Sequence, residues 1–325
     1  VTAAAVAAYE APVIKSIPYV SKPEDITPGV ANYYASSYYD GSVFASVLVK
    51  TREGRPIHIT GNKQDGLFGG AILPAVNTSV LGLYNSSRLQ APTVKGEATT
   101  WGDFDAALSS ELNAVNGEVA ILSETVISPS GNAAIAMFAE SIGTESRTVK
   151  HYQVDAVSYS AMADAVQKST GERFVPMLDF AKAEVIVSVA ADFLNTWLNP
   201  ALFQNQYKAH RNPEAGKMSK HYQFESNMSL TGSNAERITV KPSEELGILV
   251  ALHNHIASKV GEATVSGSTK ELEAKSQKVA NDLLHARGKS LVVAGANDLA
   301  IQTLVLKINK MLGNIESTML TSKRI

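Results

Sequence analysis

Ala183-Glu184-Val185-Ile186-Val187-Ser188-Val189-Ala190 is a nearly continuous apolar run, interrupted by one acid and one serine. With apolar residues on both parities of the alternation, it reads as a central parallel strand covered on both faces. On its C-terminal side the pattern continues with a helix over 199–210, an extended segment over 221–225 and a strand over 235–240. Next come an amphipathic helix over 242–261 with Ser243 as cap, a charged helix over 270–287, a buried strand over 290–295, and a helix over 297–312 that ends at Gly313. On the N-terminal side, 159–169 reads as a helix closed by Gly171 and 148–154 as a strand. Ser128 and Pro129 open a helix that stops near Gly143, 118–126 is a strand, and Thr100 with Asp103 forms an N-cap pair for a helix ending near Gly117. Strands alternating with helices argue for an α/β fold, a doubly wound and mostly parallel sheet with helices on both faces.

Upstream, 42–50 and 56–60 are β-rich runs joined by Thr51-Arg52-Glu53-Gly54-Arg55, a hairpin in which Gly54 supplies a positive φ. Residues 63–82 read as irregular. Residues 10–40 carry Pro12, Pro18, Pro23 and Pro28, with tyrosine at 19, 33, 34, 38 and 39, and read as an extended arm that wraps onto a neighbouring domain or subunit. The division is therefore 1–41 arm, 42–98 hairpin and irregular segment, and 99–325 α/β region.

At 325 residues and 45% apolar the chain can bury a full core in one or two domains. Its net charge of −2 and lack of a basic run exclude a nucleic-acid footprint. The runs at 185–189 and 291–294 are too short to cross a bilayer, so a membrane would be reached through another subunit. With no cysteine, disulfides and thiolate-ligated zinc or iron–sulfur centres are excluded within these residues, while the compartment stays open. The small-residue run from Val1 to Glu10 suits the tail of an export signal, a processed helical stub or a flexible leader.

Three ordered blocks carry a resemblance: Gly54-Arg55-Pro56-Ile57-His58-Ile59-Thr60-Gly61-Asn62, Leu83-Tyr84-Asn85-Ser86-Ser87-Arg88-Leu89-Gln90-Ala91-Pro92, and Trp101-Gly102-Asp103-Phe104-Asp105-Ala106-Ala107-Leu108. They resemble the opening of the molybdopterin oxidoreductase superfamily. Further blocks are similar to the B-subunit family of alternative complex III: Ile17-Pro18-Tyr19-Val20 with Glu24 to Gly29, Ala181 to Leu194, Glu225-Ser226-Asn227-Met228-Ser229-Leu230-Thr231-Gly232, and Val292 to Gly295 with Asn309, Leu312, Gly313 and Asn314. Glu236 departs from that pattern, where Asp is expected.

The resemblance implies a molybdopterin-oxidoreductase-like fragment of a longer iron–sulfur subunit in a respiratory quinol oxidoreductase. This domain would be cofactor-free and structural, with iron–sulfur clusters and c-type haems elsewhere in the complex. Implied partners are a ferredoxin-like iron–sulfur domain of the same subunit, c-type haem subunits and integral membrane quinol-oxidising subunits, at the periplasmic face of the inner membrane. The alternative it implies is an active molybdenum or tungsten bis-pterin oxidoreductase with a non-cysteine metal ligand, for which Ser128, Ser130, Ser226 and Asp192 are the places to look. The segment Gly66 to Leu73, where relatives place a cluster cysteine, holds no ligand type.

Other candidates reduce to structure. Val293-Ala294-Gly295-Ala296-Asn297 is a strand-to-helix turn that lacks the other glycines of the dinucleotide fingerprint. His253 and His255 point about 200° apart on a helix and cannot chelate one ion. Asp103 and Asp105 sit at a helix start, where capping accounts for them. No residue is assigned a catalytic, cofactor-binding or metal-ligating role.

Overall fold

The computed structural model describes residues 24–41, 43–216 and 218–324. The small-residue run at 1–10, the Ile17–Val20 block and the prolines at 12, 18 and 23 lie outside them. The end of the arm is β1 (Asn32–Asp40), which pairs antiparallel with β2 (Val43–Arg52), itself paired with β3 (Arg55–Gly61). The β2–β3 turn uses positive φ at Glu53 and Gly54. The segment read as irregular folds partly as α1 (Pro74–Thr78) and a 3-10 helix (Ser79–Tyr84), which place Val76 and Val80 against Ala45, Val47 and Ile59. A short hairpin, β4 (Thr93–Val94) and β5 (Glu97–Ala98), follows.

The next unit is α2 (Trp101–Ala114), β6 (Gly117–Ser123), α3 (Pro129–Ile142) and β7 (Arg147–Gln153), with β6 and β7 parallel. Both expected caps form: Thr100 Oγ1 accepts from Asp103 N at 3.2 Å, and Ser128 Oγ from Gly131 N at 3.1 Å. Then come α4 (Ser160–Thr170), closed by Gly171 at positive φ, β8 (Pro176–Leu178) and β9 (Val185–Val189), of which every residue is buried. After α5 (Pro200–Tyr207) the chain runs through β10 (Lys220–Glu225), α6 (Leu230–Ser233) and β11 (Glu236–Thr239). It continues as α7 (Glu245–Val260), α8 (Lys270–His285), β12 (Ser290–Ala294), α9 (Leu299–Met311) and β13 (Met319–Arg324), which pairs antiparallel with β8. Ser243 is not the cap of α7. It lies in a 3-10 turn, where Glu244 Oε2 accepts from Lys241 N at 2.9 Å.

β9, β10, β11 and β12 form a parallel sheet of order β11-β10-β9-β12, so the chain starts inside the sheet, builds to one side and crosses to the other. Strand alternation divides the core. Val185, Val187, Tyr222, Phe224 and Val292 meet Ile248, Leu252, Val279, Leu283 and Ile308 of the helices on one face. Ile186, Leu291 and Val293 meet Phe180, Phe193, Trp197 and Phe203 on the other, where Phe180 stacks on Phe193 at 4.2 Å.

Candidate functional site

The carboxyl ends of β9 and β12 diverge at the point where strand order reverses, the position at which open α/β sheets form a ligand crevice. Here the chain closes it. A Cβ on Gly295 would collide with the Ala190 carbonyl, so backbone lies on backbone at the turn. Asn297 Oδ1 accepts from Ala161 N at 2.8 Å and caps α4, while Asp298 Oδ1 accepts from Ala300 N and Ile301 N and occupies the start of α9. The turn is a tight connection whose helix donors are already used. At the end of β10, Glu225 accepts from Ser229 Oγ at 2.7 Å, Gln223 Nε2 at 3.2 Å and Arg237 Nε at 2.8 Å. Burial pushes its pKa up, and these donors outweigh that and hold the carboxyl below the ordinary range.

An open cavity of about 410 Å³ lies at the opposite side of the sheet, at the amino ends of β10 and β11. β10 supplies three consecutive wall residues, and its alternation sends them to different partners. His221 faces the aromatic side, with its ring centroid 5.3 Å from that of Phe193, and its Nδ1 is 3.0 Å from the Tyr207 hydroxyl. Lys220 and Tyr222 both donate to Asp282 on α8. Burial works against the Asp282 carboxylate, and the two donors outweigh it, keeping its pKa low; burial and Asp282 together raise that of Tyr222.

Arg211 borders the cavity with its guanidinium 5.0 Å from the Tyr207 ring centre. It donates to the Ser219 carbonyl at 3.1 Å and the Asn234 carbonyl at 2.7 Å. Lys278 of α8 reaches Glu236 at 2.9 Å on the other side. His221 is 4% exposed, and its Nε2 has no hydrogen-bond partner. Burial, helped by the Arg211 charge, lowers its pKa to about 3, so the ring is neutral.

A third feature is a surface. From Leu81 to Ser160 the single buried residue is Arg147. Its Nε donates to the Ile142 carbonyl at 2.6 Å and its Nη1 to the Leu112 carbonyl, so one cation ties together the C-terminal ends of α2 and α3. Around it Trp101, Leu122 and Met137 are 70%, 72% and 71% exposed. β6 pairs with β7 alone and presents its other edge unpaired among the described residues.

Of the residues considered as metal ligands, Ser128, Ser130 and Asp192 have their side-chain oxygens in hydrogen bonds within the fold. Ser128 caps α3 with Ser130 Oγ 3.0 Å away, the Ser226 carbonyl accepts from Arg237, and Asp192 Oδ1 accepts from Thr231 N at 3.0 Å and Thr231 Oγ1 at 2.7 Å. Among the described residues no group of three or more His, Asp or Glu is placed to hold a metal ion. His255 Nε2 meets the Glu273 carbonyl at 3.0 Å while His253 is buried beside Asn254, so the two rings serve different neighbours. In the segment Gly66 to Leu73, Phe68 is a buried plug 5.6 Å from Phe44. Asp103 completes the Thr100 cap. Sequence reading did not find the basic cavity, because Arg211, His221 and Lys278 share no spacing and are gathered by β10 packing on α8.

No protein-family model matches the chain, and no curated protein matches it. Among solved structures it is similar to a chain in the X-ray crystal structure of the formyltransferase/hydrolase complex (FhcABCD) from Methylorubrum extorquens in complex with methylofuran. The identity is 17% and the TM-score 0.47, with 70% of this chain and 58% of that chain covered. This corrects the resemblance. The neighbour belongs to a formyltransferase/hydrolase complex, so the assignment to alternative complex III is withdrawn. With it go the respiratory quinol-oxidising function, its molybdenum or tungsten alternative, and the ferredoxin-like, haem and membrane partners. A likeness of TM-score 0.47 in turn gives this chain no function. Among the described residues no helix is long and apolar enough to cross a membrane.

Proposed function

We propose that this chain is one component of a larger protein assembly, and that the α2–β6–α3–β7 unit is where another polypeptide lays a β-strand. One observation carries the reading: eighty consecutive residues, from Leu81 to Ser160, fold into helices and a parallel sheet around a single buried side chain, Arg147. Parallel strands are normally buried on both faces. β6 reads Val119-Ala120-Ile121-Leu122, apolar on both parities, and Ala120 and Leu122 are exposed. An unpaired edge with apolar side chains is a template for strand addition, in which backbone hydrogen bonds and side-chain pockets act together.

The test is dye binding and sedimentation of the purified chain. We expect 1-anilinonaphthalene-8-sulfonate to fluoresce on the folded protein and the signal to fall sharply in the double variant Leu122→Glu, Met137→Glu. A folded chain that binds no dye would overturn the proposal. So would a stable homodimer dissolved by the same double variant, since the face would then be used by a second copy.

The finer fold description, a doubly wound sheet, belongs to this proposal and is supported by the β11-β10-β9-β12 order and the apolar clusters on both faces. The division at residues 41 and 98 is also proposed; the start of α2 at Trp101, capped by Thr100, supports the second boundary. That residues 1–325 hold no cofactor of their own is supported by the lack of cysteine. A periplasmic location has the small-residue run at 1–10 as its sole support, and fractionation tests it.

A further inference from the structure

We propose that the cavity at the amino end of β10 binds a small molecule through a phosphate or carboxylate group, with Arg211 as the principal contact. The wall carries three cations, Arg211, Lys220 and Lys278, and one carboxylate, Glu236. Two of the cations are offset, Lys278 by Glu236 and Lys220 by Asp282 behind the wall. Arg211 is in no ion pair among the described residues, and it donates to the Ser219 and Asn234 carbonyls. Those bonds and the Tyr207 ring fix the plane of the fork, while its remaining N–H groups are available. A guanidinium held in this way is the geometry that recognises phosphate and carboxylate with two parallel hydrogen bonds.

The His221 imidazole is neutral and buried beside Tyr207. The single Tyr207 hydroxyl proton goes either to the Asn234 carbonyl or to His221 Nδ1. In the second state Nε2 carries the ring proton and is a buried donor with no hydrogen-bond partner among the described residues. The volume, about 410 Å³, lies in the range of small-molecule sites. The surface proposed for strand addition is made by other residues, so the two proposals fail independently.

The experiment is thermal melting and calorimetric titration of the full chain with inorganic phosphate and, separately, citrate, at ionic strength held constant with sodium chloride. We expect a saturable rise in Tm with at least one anion beyond the chloride control. The anion that responds identifies phosphate or carboxylate as the group recognised. Lys278→Gln should raise Kd at least tenfold and Arg211→Gln should abolish binding. Glu236→Gln, which removes the one lining carboxylate, should tighten binding severalfold, a gain that loss of structure would not produce. If Arg211→Gln does not fold, the Lys278 and Glu236 variants decide the matter. A response no larger than that of chloride, or one equal in all variants, would overturn the proposal.

Discussion

Asn309 on α9 bonds both backbone groups of Val292: its Oδ1 accepts from Val292 N at 3.1 Å and its Nδ2 donates to Val292 O at 2.8 Å. β12 is the edge of the parallel sheet, and this side-chain amide stands where a further strand would otherwise bond. Asn314 Nδ2 fixes Asn309 Oδ1 from behind at 2.9 Å, while Asn314 Oδ1 accepts from Ser290 Oγ at 3.1 Å. All four residues are buried, so each lost bond leaves a polar group without water. Asn309→Leu should therefore destabilise the chain by about 2–4 kcal/mol, seen as a lower urea midpoint with an unchanged slope.

At Gly295 the constraint is space. Gly295→Ala puts a methyl group into the Ala190 carbonyl, and both sides of that contact are backbone. We expect a loss of about 3 kcal/mol in urea unfolding. Gly54→Ala, where a Cβ meets nothing but φ is positive, should cost about 1 kcal/mol.

His221 makes stability depend on pH. Its folded pKa is lowered to about 3 from an ordinary 6.5, so below pH 6.5 the unfolded chain binds a proton that the folded chain refuses. The contribution is complete above pH 6.5 and is lost as pH falls towards 3, amounting to about 2 kcal/mol between pH 6.5 and 5. Urea unfolding at the two pH values should show this slope in the native chain and a shallower one in His221→Phe.

Arg147 joins the uncovered unit. Arg147→Met should release the Leu112 and Ile142 carbonyls. Amides of α2 and α3 should then exchange at least tenfold faster, with those of β9 and β12 unchanged. The measurement is hydrogen exchange read by mass spectrometry.

Much of the fold is legible wherever one residue type decides the local geometry. Val185–Val189 has apolar side chains on both parities and is buried throughout. Thr100, Ser128 and Gly171 mark helix ends through a hydroxyl acceptor or a positive φ. Pairings made by few residues across long stretches of chain are not legible, as between Leu178 of β8 and Met319 of β13. The supposed family signature misled for a physical reason. Gly54 serves a turn, Gly295 a backbone contact, Thr231 the Asp192 carboxylate, and Asn309 and Asn314 a sheet edge. Such demands belong to α/β geometry and do not specify a respiratory complex. Exposure of the β6 unit could not be read either, because Val119-Ala120-Ile121-Leu122 looks like any buried strand until its missing cover is seen.

The central claim is that β6 lacks its cover among the described residues. The most direct measurement is the amide exchange of residues 118–122 in the purified, folded protein, compared with Val185–Val189 in the same sample. The account predicts that 118–122 exchange at least a hundredfold faster than β9. Equal, slow exchange in the two strands would show that the unit is already covered, and would contradict it.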